Sequence, residues 1–336
     1  MIQGAPPEAG WFRLGPRRVL EEHVLDRVVQ IALPGRKVIE VYPLTDGFRN
    51  ANFRLHLDSP PEHVVLRIYE HDVTLCRKET DILKLMGCLV PTPEVIYSEP
   101  DGMNGVPPLV LLRYIEGMTF RELKCRGDAD SISRAAYAVG QTLASIGRVA
   151  FPKAGWLGPG PSVGSTLLEG ENSAPRFVDL CLTSLNLRQR MKEELRGATS
   201  ALVWSYAAQL ASLGDENHLA HGDFGGRNLL VRHVAGKWVI AGVLDWEFAI
   251  AGSPLVDVGH FLRYESLSRP VVEPHFSNGY MQAGGTLPPD WRRLARMVDL
   301  IALCESLTHD AIPDEVVAEL LELVRATVES RDPQFK

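Results

Sequence analysis

Apolar residues along this chain fall into two regimes. In the first third they come in short runs bounded by Gly, Pro and Asp, which is the pattern of strands: Val38–Leu44, a second run ending at Leu57, His63–Tyr69, Val95–Tyr97 and Leu109–Tyr114. Two helical patterns are set among them. Val19–Ala32 carries Leu20, Val24, Val28 and Ile31 near helical spacing and is stopped by Pro34-Gly35, and the stretch from Cys76 to Met86 is stopped by Val90-Pro-Thr-Pro93. Residues 1–18, rich in Gly, Pro and Arg, are expected to be irregular. From Ser131 the period changes to that of helices, predicted over Ile132–Val149, Val178–Leu195, Ala201–Leu213, Trp291–Thr308 and Val316–Val328. Long loops are expected at Phe151–Pro175 and Pro270–Pro289. A block of strands followed by a block of helices predicts an α+β fold.

One stretch interrupts the helical half. Leu229–Val234 and Lys237–Leu244 read as two strands joined by a turn at Ala235-Gly236. A hairpin holds its ends together, so Asn228 at its entry and Asp245 at its exit become neighbours, with His221-Gly222-Asp223 just upstream. An amide oxygen and a carboxylate fixed side by side suit Mg²⁺, which keeps waters and binds nucleotide phosphates. A further carboxylate, Asp223, can orient a hydroxyl and accept its proton, which completes the minimal equipment for phosphoryl transfer. His218, His221 and Asp223 also have the spacing of transition-metal ligands. No Cys lies nearby, however, and amide and carboxylate ligands follow instead.

Composition narrows the class. The chain has 336 residues, 45% apolar content and a net charge of −7 with no block of like charge, which argues against nucleic acid as a partner. Five scattered cysteines without a C-x-x-C pair read as buried or idle thiols of a reducing compartment. No apolar run approaches a membrane span and the first residues lack a signal-peptide core, so a soluble cytoplasmic protein is expected.

The segments HGDFGGRNLLV and VLDWE resemble the catalytic and metal loops of the aminoglycoside phosphotransferase and choline kinase-like superfamily of small-molecule kinases. The commonest family loop has Leu-His-Pro-Gly where this chain has Phe224-Gly225-Gly226-Arg227. The resemblance extends from about Val38 to about Thr308 and implies a two-lobed, protein kinase-like fold. It has a small antiparallel-sheet lobe at 1–116 and a mainly helical lobe at 117–336, with Gly117 at the turn between them. It implies that Asp223 is catalytic, that Asn228 and Asp245 hold Mg²⁺, and that His221 supports the loop. Asp257 matches a family residue that braces this loop, and an ordinary acidic residue at a helix start is the alternative.

For the nucleotide, the resemblance implies a flap with Gly47 and Asn50, a strand base at Arg67 where Lys is usual, and a helical Glu79 that orients it. It also implies a linking segment, Leu112, Arg113, Tyr114 and Ile115, whose backbone meets the purine. ATP and GTP both remain open as the nucleotide, and oligomeric state is open too. The acceptor is a small hydroxyl-bearing molecule: an antibiotic, an amino alcohol, a sugar or another metabolite. Glu247 and Glu305 are the acidic residues nominated for it. Two rivals stand beside this reading. One is a nucleotide-binding pseudokinase acting as an interaction module. The other is a protein Ser/Thr kinase, which the missing Ala-Pro-Glu signature disfavours.

Overall fold

The computed structural model describes residues 22–44, 50–103 and 105–329. The expected irregular segment 1–18, the start of the first helix at Val19 and the flap turn at Gly47 lie outside the described residues. The helix is described from Glu22 to Ala32 (α1).

Strands β1 (Val38–Leu44), β2 (Ala51–Leu57), β3 (His63–Ile68), β4 (Val95–Glu99) and β5 (Leu109–Arg113) form one antiparallel sheet in the order β1-β2-β3-β5-β4. Strand alternation decides what each face does. In β2, Ala51, Phe53, Leu55 and Leu57 are buried while the residues between them are half-buried. Together with Leu66 and Ile68 of β3 and Leu109 and Leu111 of β5, they close on Leu25, Val28 and Val29 of α1. The same alternation turns Arg67 to the opposite face. Helix α2 (Leu75–Met86) packs there, burying Cys76, Ile82, Leu83 and Met86 together with the polar Lys78, Glu79 and Thr80, so Glu79 is carried inward.

Beyond Gly117 the short strand β6 (Met118–Thr119) leads into α3 (Phe120–Arg126), whose start is a capping box between Thr119 and Glu122. Helix α4 (Ala129–Ile146) follows, capped by Asp128. The expected long loop after it holds only β7 (Gly155–Trp156) before α5 (Ser173–Thr183).

The single helix expected over Val178–Leu195 is in fact three pieces: α5, α6 (Leu185–Arg190) and the start of α7 (Glu193–Ser205). Ser184 has extended backbone and its hydroxyl caps α6 by accepting from Leu187 N–H, a competition with helix geometry that hydroxyl side chains offer. The break is held from outside, because Asn186 and Arg190 donate to the carbonyls of Thr308, Leu307 and His309. The helix expected over Ala201–Leu213 is the end of α7 and a separate α8 (Ala207–Ser212).

The strands β8 (His218–Ala220), β9 (Leu229–Val234), β10 (Lys237–Val243) and β11 (Ile250–Gly252) build two three-stranded sheets, β10-β9-β6 and β7-β11-β8. Helices α9 (Leu255–Leu262), α10 (His275–Gln282), α11 (Trp291–Ser306) and α12 (Asp314–Val328) complete the described residues. Helix α10 lies inside the expected loop Pro270–Pro289. It forms because it packs tightly on α4. A Cβ on Gly279 would lie 2.1 Å from the carbonyl oxygen of Tyr137, and one on Gly140 the same distance from that of Phe276. Each helix thus spends a glycine at the crossing, which masks the apolar period in the sequence. A second apolar cluster, fed by α5, α11 and α12 with Leu187, Met191, Val203 and Leu210, finishes the helical region. The cysteines are all free, with Cys76, Cys181 and Cys304 buried and Cys88 and Cys125 exposed.

Candidate active site

Strand β8 delivers His221-Gly222-Asp223 into a loop tied from three sides. Gly222 has φ +82°, and a Cβ there would lie 2.3 Å from the carbonyl oxygen of Phe248, so no other residue fits without displacement. Asp257, fully buried at the start of α9, accepts the N–H groups of His221 and Gly222 at 2.7 and 2.9 Å. Burial raises its carboxyl to about 7 against the pull of those two donors. The N–H of Asp223 donates to Nδ1 of His221 at 3.2 Å, so the ring carries its proton on Nε2, which lies 2.8 Å from the carbonyl oxygen of Leu244. Burial pushes His221 down to about 4 and keeps it neutral in this role.

The Asp223 carboxylate is engaged at both oxygens. Asn228 Nδ2 donates to Oδ2 at 2.8 Å and to the Asp223 carbonyl at 2.9 Å, and His260 Nε2 lies 3.2 Å from Oδ1. Burial, and after it the neighbouring Arg263, holds His260 well below its ordinary range, so it meets Asp223 as a neutral ring.

The β9–β10 hairpin turns at Ala235 and Gly236, both with positive φ as a two-residue connection requires. Its ladder closes on the Leu229–Val243 pair, and Leu244 N–H donates to the Asn228 carbonyl at 2.8 Å. Asn228 and Asp245 therefore stand on adjoining chain ends. Asp245 adopts φ +63°, a left-handed conformation that Asp tolerates better than most residues, and turns the chain into the short 3-10 segment Trp246–Phe248.

Around Asp245 lies a buried charge cluster that spans the five-stranded sheet, α2 and this turn. Arg67 Nη2 is 2.6 Å from Asp245 Oδ1 and 3.2 Å from Glu247 Oε2, and Nη1 is 3.3 Å from Glu79 Oε1. Oxygens of Glu79, Asp245 and Glu247 lie within 4.8 Å of one another. Burial raises the carboxyl of Glu79, opposed chiefly by Arg67, and the three carboxylates keep Arg67 charged despite its burial. Glu79 also accepts Trp246 N–H at 3.1 Å and the hydroxyl of Tyr69. Lys78 Nζ donates to the Glu247 carbonyl at 2.7 Å, and burial lowers its ammonium to about 8. The Nε of Arg67 is buried without a hydrogen-bond partner.

The sequence-nominated residues thus separate into groups. Asp223, Asn228, His221 and Asp257 are brought together in the loop, and Arg67, Glu79, Asp245 and Asn50 in the charge cluster, where Asn50 Nδ2 donates to Glu247 Oε2. The segment from Leu112 to Ile115 runs from β5 toward β6. The Arg113 guanidinium pairs with Glu94 at the surface, the Tyr114 ring meets His63, and the Ile115 side chain covers Gly242. Gly47 lies outside the described residues.

The two acidic residues nominated for the acceptor have partners within the chain. Glu247 is 3% exposed and its carboxylate faces Arg67 and Asn50, so it belongs to the buried charge cluster. Glu305, near the end of α11, pairs with His309 at 3.0 Å. Sequence reasoning also missed Lys78, which has no pattern signal, and His260. The latter lies three residues after Asp257 on one helix, a spacing that shares a face.

The donor set around Asn228 and Asp245 fits a hard divalent cation. Asn228 commits its Nδ2 to Asp223 and Asp245 commits Oδ1 to Arg67, so the amide oxygen of the first and Oδ2 of the second could serve an ion.

The model of a family described as "Phosphotransferase enzyme family" matches residues 40–296. A search of curated proteins finds no match. Among solved structures, a thermostable mutant of aminoglycoside phosphotransferase APH(4)-Ia, in a ternary complex with AMP-PNP and hygromycin B, superposes with a TM-score of 0.63 at 17% identity, covering 91% of this chain and 98% of that one. The GDP and kanamycin complex of APH(2")-IIia superposes with a TM-score of 0.68 at 16% identity, covering 93% and 100%. At these identities the likeness concerns the fold.

Proposed function

The chain belongs to the phosphotransferase enzyme family and is a small-molecule phosphotransferase, and from that premise we propose that it moves the terminal phosphoryl group of ATP or GTP to a hydroxyl of a small acceptor. In this reading residues up to 116 form the nucleotide-holding lobe and residues from 117 the catalytic and acceptor lobe, and the enzyme works in the cytoplasm. The observation that carries it is the Asp223 carboxylate, held by Asn228 and His260 on a loop whose backbone is anchored by buried Asp257. A fixed carboxylate orients the acceptor hydroxyl first and takes its proton late in a loose transition state. Asn228 and Asp245 would hold Mg²⁺, which supplies charge neutralisation on the phosphates. Arg67, oriented by Glu79, would exchange Asp245 for a phosphate oxygen. The bound ligands of the two fold relatives, AMP-PNP and GDP, support a nucleotide without choosing its base.

One observation favours a rival, a nucleotide-binding module without turnover: Arg67 closes on Asp245 itself. Asp223→Asn separates the two readings. It should leave Mg·ATP affinity near wild type and lower ADP release across a panel of hydroxyl compounds by roughly a hundredfold to ten-thousandfold. Near-native turnover in the variant, or none in wild type, would overturn the catalytic assignment.

A further inference from the structure

Three elements on the side of the five-stranded sheet converge on one residue of the turn after Asp245. Asn50, just before β2, donates its Nδ2 to Glu247 Oε2. Arg67 of β3 brings Nη2 to the same oxygen at 3.2 Å, and Lys78 of α2 donates Nζ to the Glu247 carbonyl at 2.7 Å. The next residue of α2, Glu79, accepts the N–H of Trp246 at 3.1 Å. All of these partners and Glu247 itself are buried. Glu247 therefore docks the start of β2, the strand base and the helix on the segment that carries Asp245.

Asp245 stands differently. It meets the same Nη2 of Arg67, at 2.6 Å, but its side chain is 29% exposed where that of Glu247 is 3% exposed. Two carboxylates thus share one end of the guanidinium, and burial decides which of them can give it up. An exposed carboxylate can trade its partner for an ion and water. A buried one stays charged only beside its counter-ion. When Asp245 turns away, Arg67 keeps Glu79 on Nη1 at 3.3 Å and Glu247 on Nη2. Take the charge of Glu247 away, and Asp245 is the carboxylate that remains on Nη2.

Resting on the phosphotransferase reading above, we propose that Glu247 is a positioning residue for metal loading. It is the counter-ion that keeps Arg67 in place when Asp245 passes from the guanidinium to the divalent ion carried by the nucleotide. Because Asn50 and α2 are docked on the same residue, the cluster stays closed while one contact, Arg67 to Asp245, opens. Arg67 closed on Asp245 is then the unloaded state of a working site rather than a block to it.

The test needs no acceptor. ADP binding to the full chain is followed by calorimetry, without metal and across a Mg²⁺ series, for wild type, Glu247→Gln, Arg67→Met and the double variant. Glu247→Gln keeps the shape and an oxygen for Asn50 but removes the charge that competes with Asp245. The Mg²⁺ concentration that half-completes the tightening of ADP should rise roughly tenfold or more, the scale of one charge-assisted contact. Metal-free ADP affinity should stay close to wild type, and Glu247→Asp, which keeps the charge, should recover most of the loss. In the Arg67→Met background the change to Gln should move the midpoint about twofold or less, because residue 247 acts through the guanidinium. An equal shift with and without Arg67 overturns the proposal and makes Glu247 an ion ligand in its own right. An unmoved midpoint, or equal losses with and without metal, overturns it too. Should Glu247→Gln not fold, wild type alone decides through hydrogen exchange at the Trp246 N–H, which Glu79 accepts. It should stay as slow with Mg·ADP as without, and faster exchange on loading would mean that the whole cluster opens, against the proposal. Failure of the phosphotransferase reading looks different: midpoints as expected, with no ADP released from ATP by any hydroxyl compound.

Discussion

Removing the one guanidinium from the buried charge cluster is the most demanding perturbation of this site. In Arg67→Met, Glu79, Asp245 and Glu247 keep oxygens within 4.8 Å of one another with no cation between them. At an effective dielectric constant of about 20, each pair of charges at that separation repels by about 3.5 kcal/mol. Proton uptake and relaxation limit the total, and breaking a buried ion pair from one side typically costs about 3–5 kcal/mol. With about 2.1 cal/mol/K of unfolding entropy per residue, the 336-residue chain should lose roughly 4–7 °C in melting temperature in EDTA.

The pH profile has a definite sign. The carboxyl of Glu79 is already raised by burial, and it rises further without Arg67. The folded variant then binds more protons than the unfolded chain between the ordinary carboxylate range and the raised folded value. Its deficit should be small near pH 4 to 5 and grow as pH rises through the folded value. Mg²⁺ should restore part of the loss, about 1.4 kcal/mol at tenfold excess over its dissociation constant. It should do so more in the variant than in wild type. Thermal and urea denaturation at pH 5 and 8, with EDTA or Mg²⁺, measure all three effects. A melting temperature within a degree of wild type at pH 8 in EDTA would refute the reasoning, because Arg67 would not be the counter-ion that the geometry makes it.

Three further outcomes follow from single contacts. Asp257→Ala strands the buried N–H groups of His221 and Gly222, at about 1–3 kcal/mol each, and should lower turnover more than nucleotide affinity. Paired urea melts and kinetics would show it, and an unchanged variant would return Asp257 to an ordinary helix-start residue. Gly279→Val puts atoms within 2.1 Å of the Tyr137 carbonyl and should part α10 from α4, whereas Gly284→Ala, where a Cβ meets nothing, should cost only its positive-φ strain; near-ultraviolet circular dichroism compares the two. For Lys78, lowered to about 8 in the fold and ordinary when unfolded, the folded state binds fewer protons between pH 8 and about 10.5. Wild type should therefore gain stability relative to Lys78→Met as pH rises through that window, and a flat difference in urea melts would contradict the burial of its charge.

Much of this was legible in the chain because it depends on local period. The apolar runs and turn chemistry over Val38–Leu44, His63–Ile68 and the β9–β10 hairpin are properties of neighbouring residues, and so is the consequence that Asn228 and Asp245 stand on adjoining chain ends. Helix α10 and the broken α5–α6–α7 run were not legible. The first owes its form to a glycine crossing with α4, and the second is pinned by carbonyls beyond residue 306.

The chemistry divides along the same line. Residue type and spacing nominated Asp223, Asn228 and Asp245, since hard-oxygen ligands need particular side chains, and the family resemblance nominated Arg67 and Glu79. Only the tertiary structure decided the partners. It set Glu247 against Arg67 and His260 against Asp223. Pairing of charges across more than a hundred residues follows from which faces of α2, α3 and α9 are buried together. Burial of that kind is a property of the packed core, where a charge must find its counter-ion or not be charged at all.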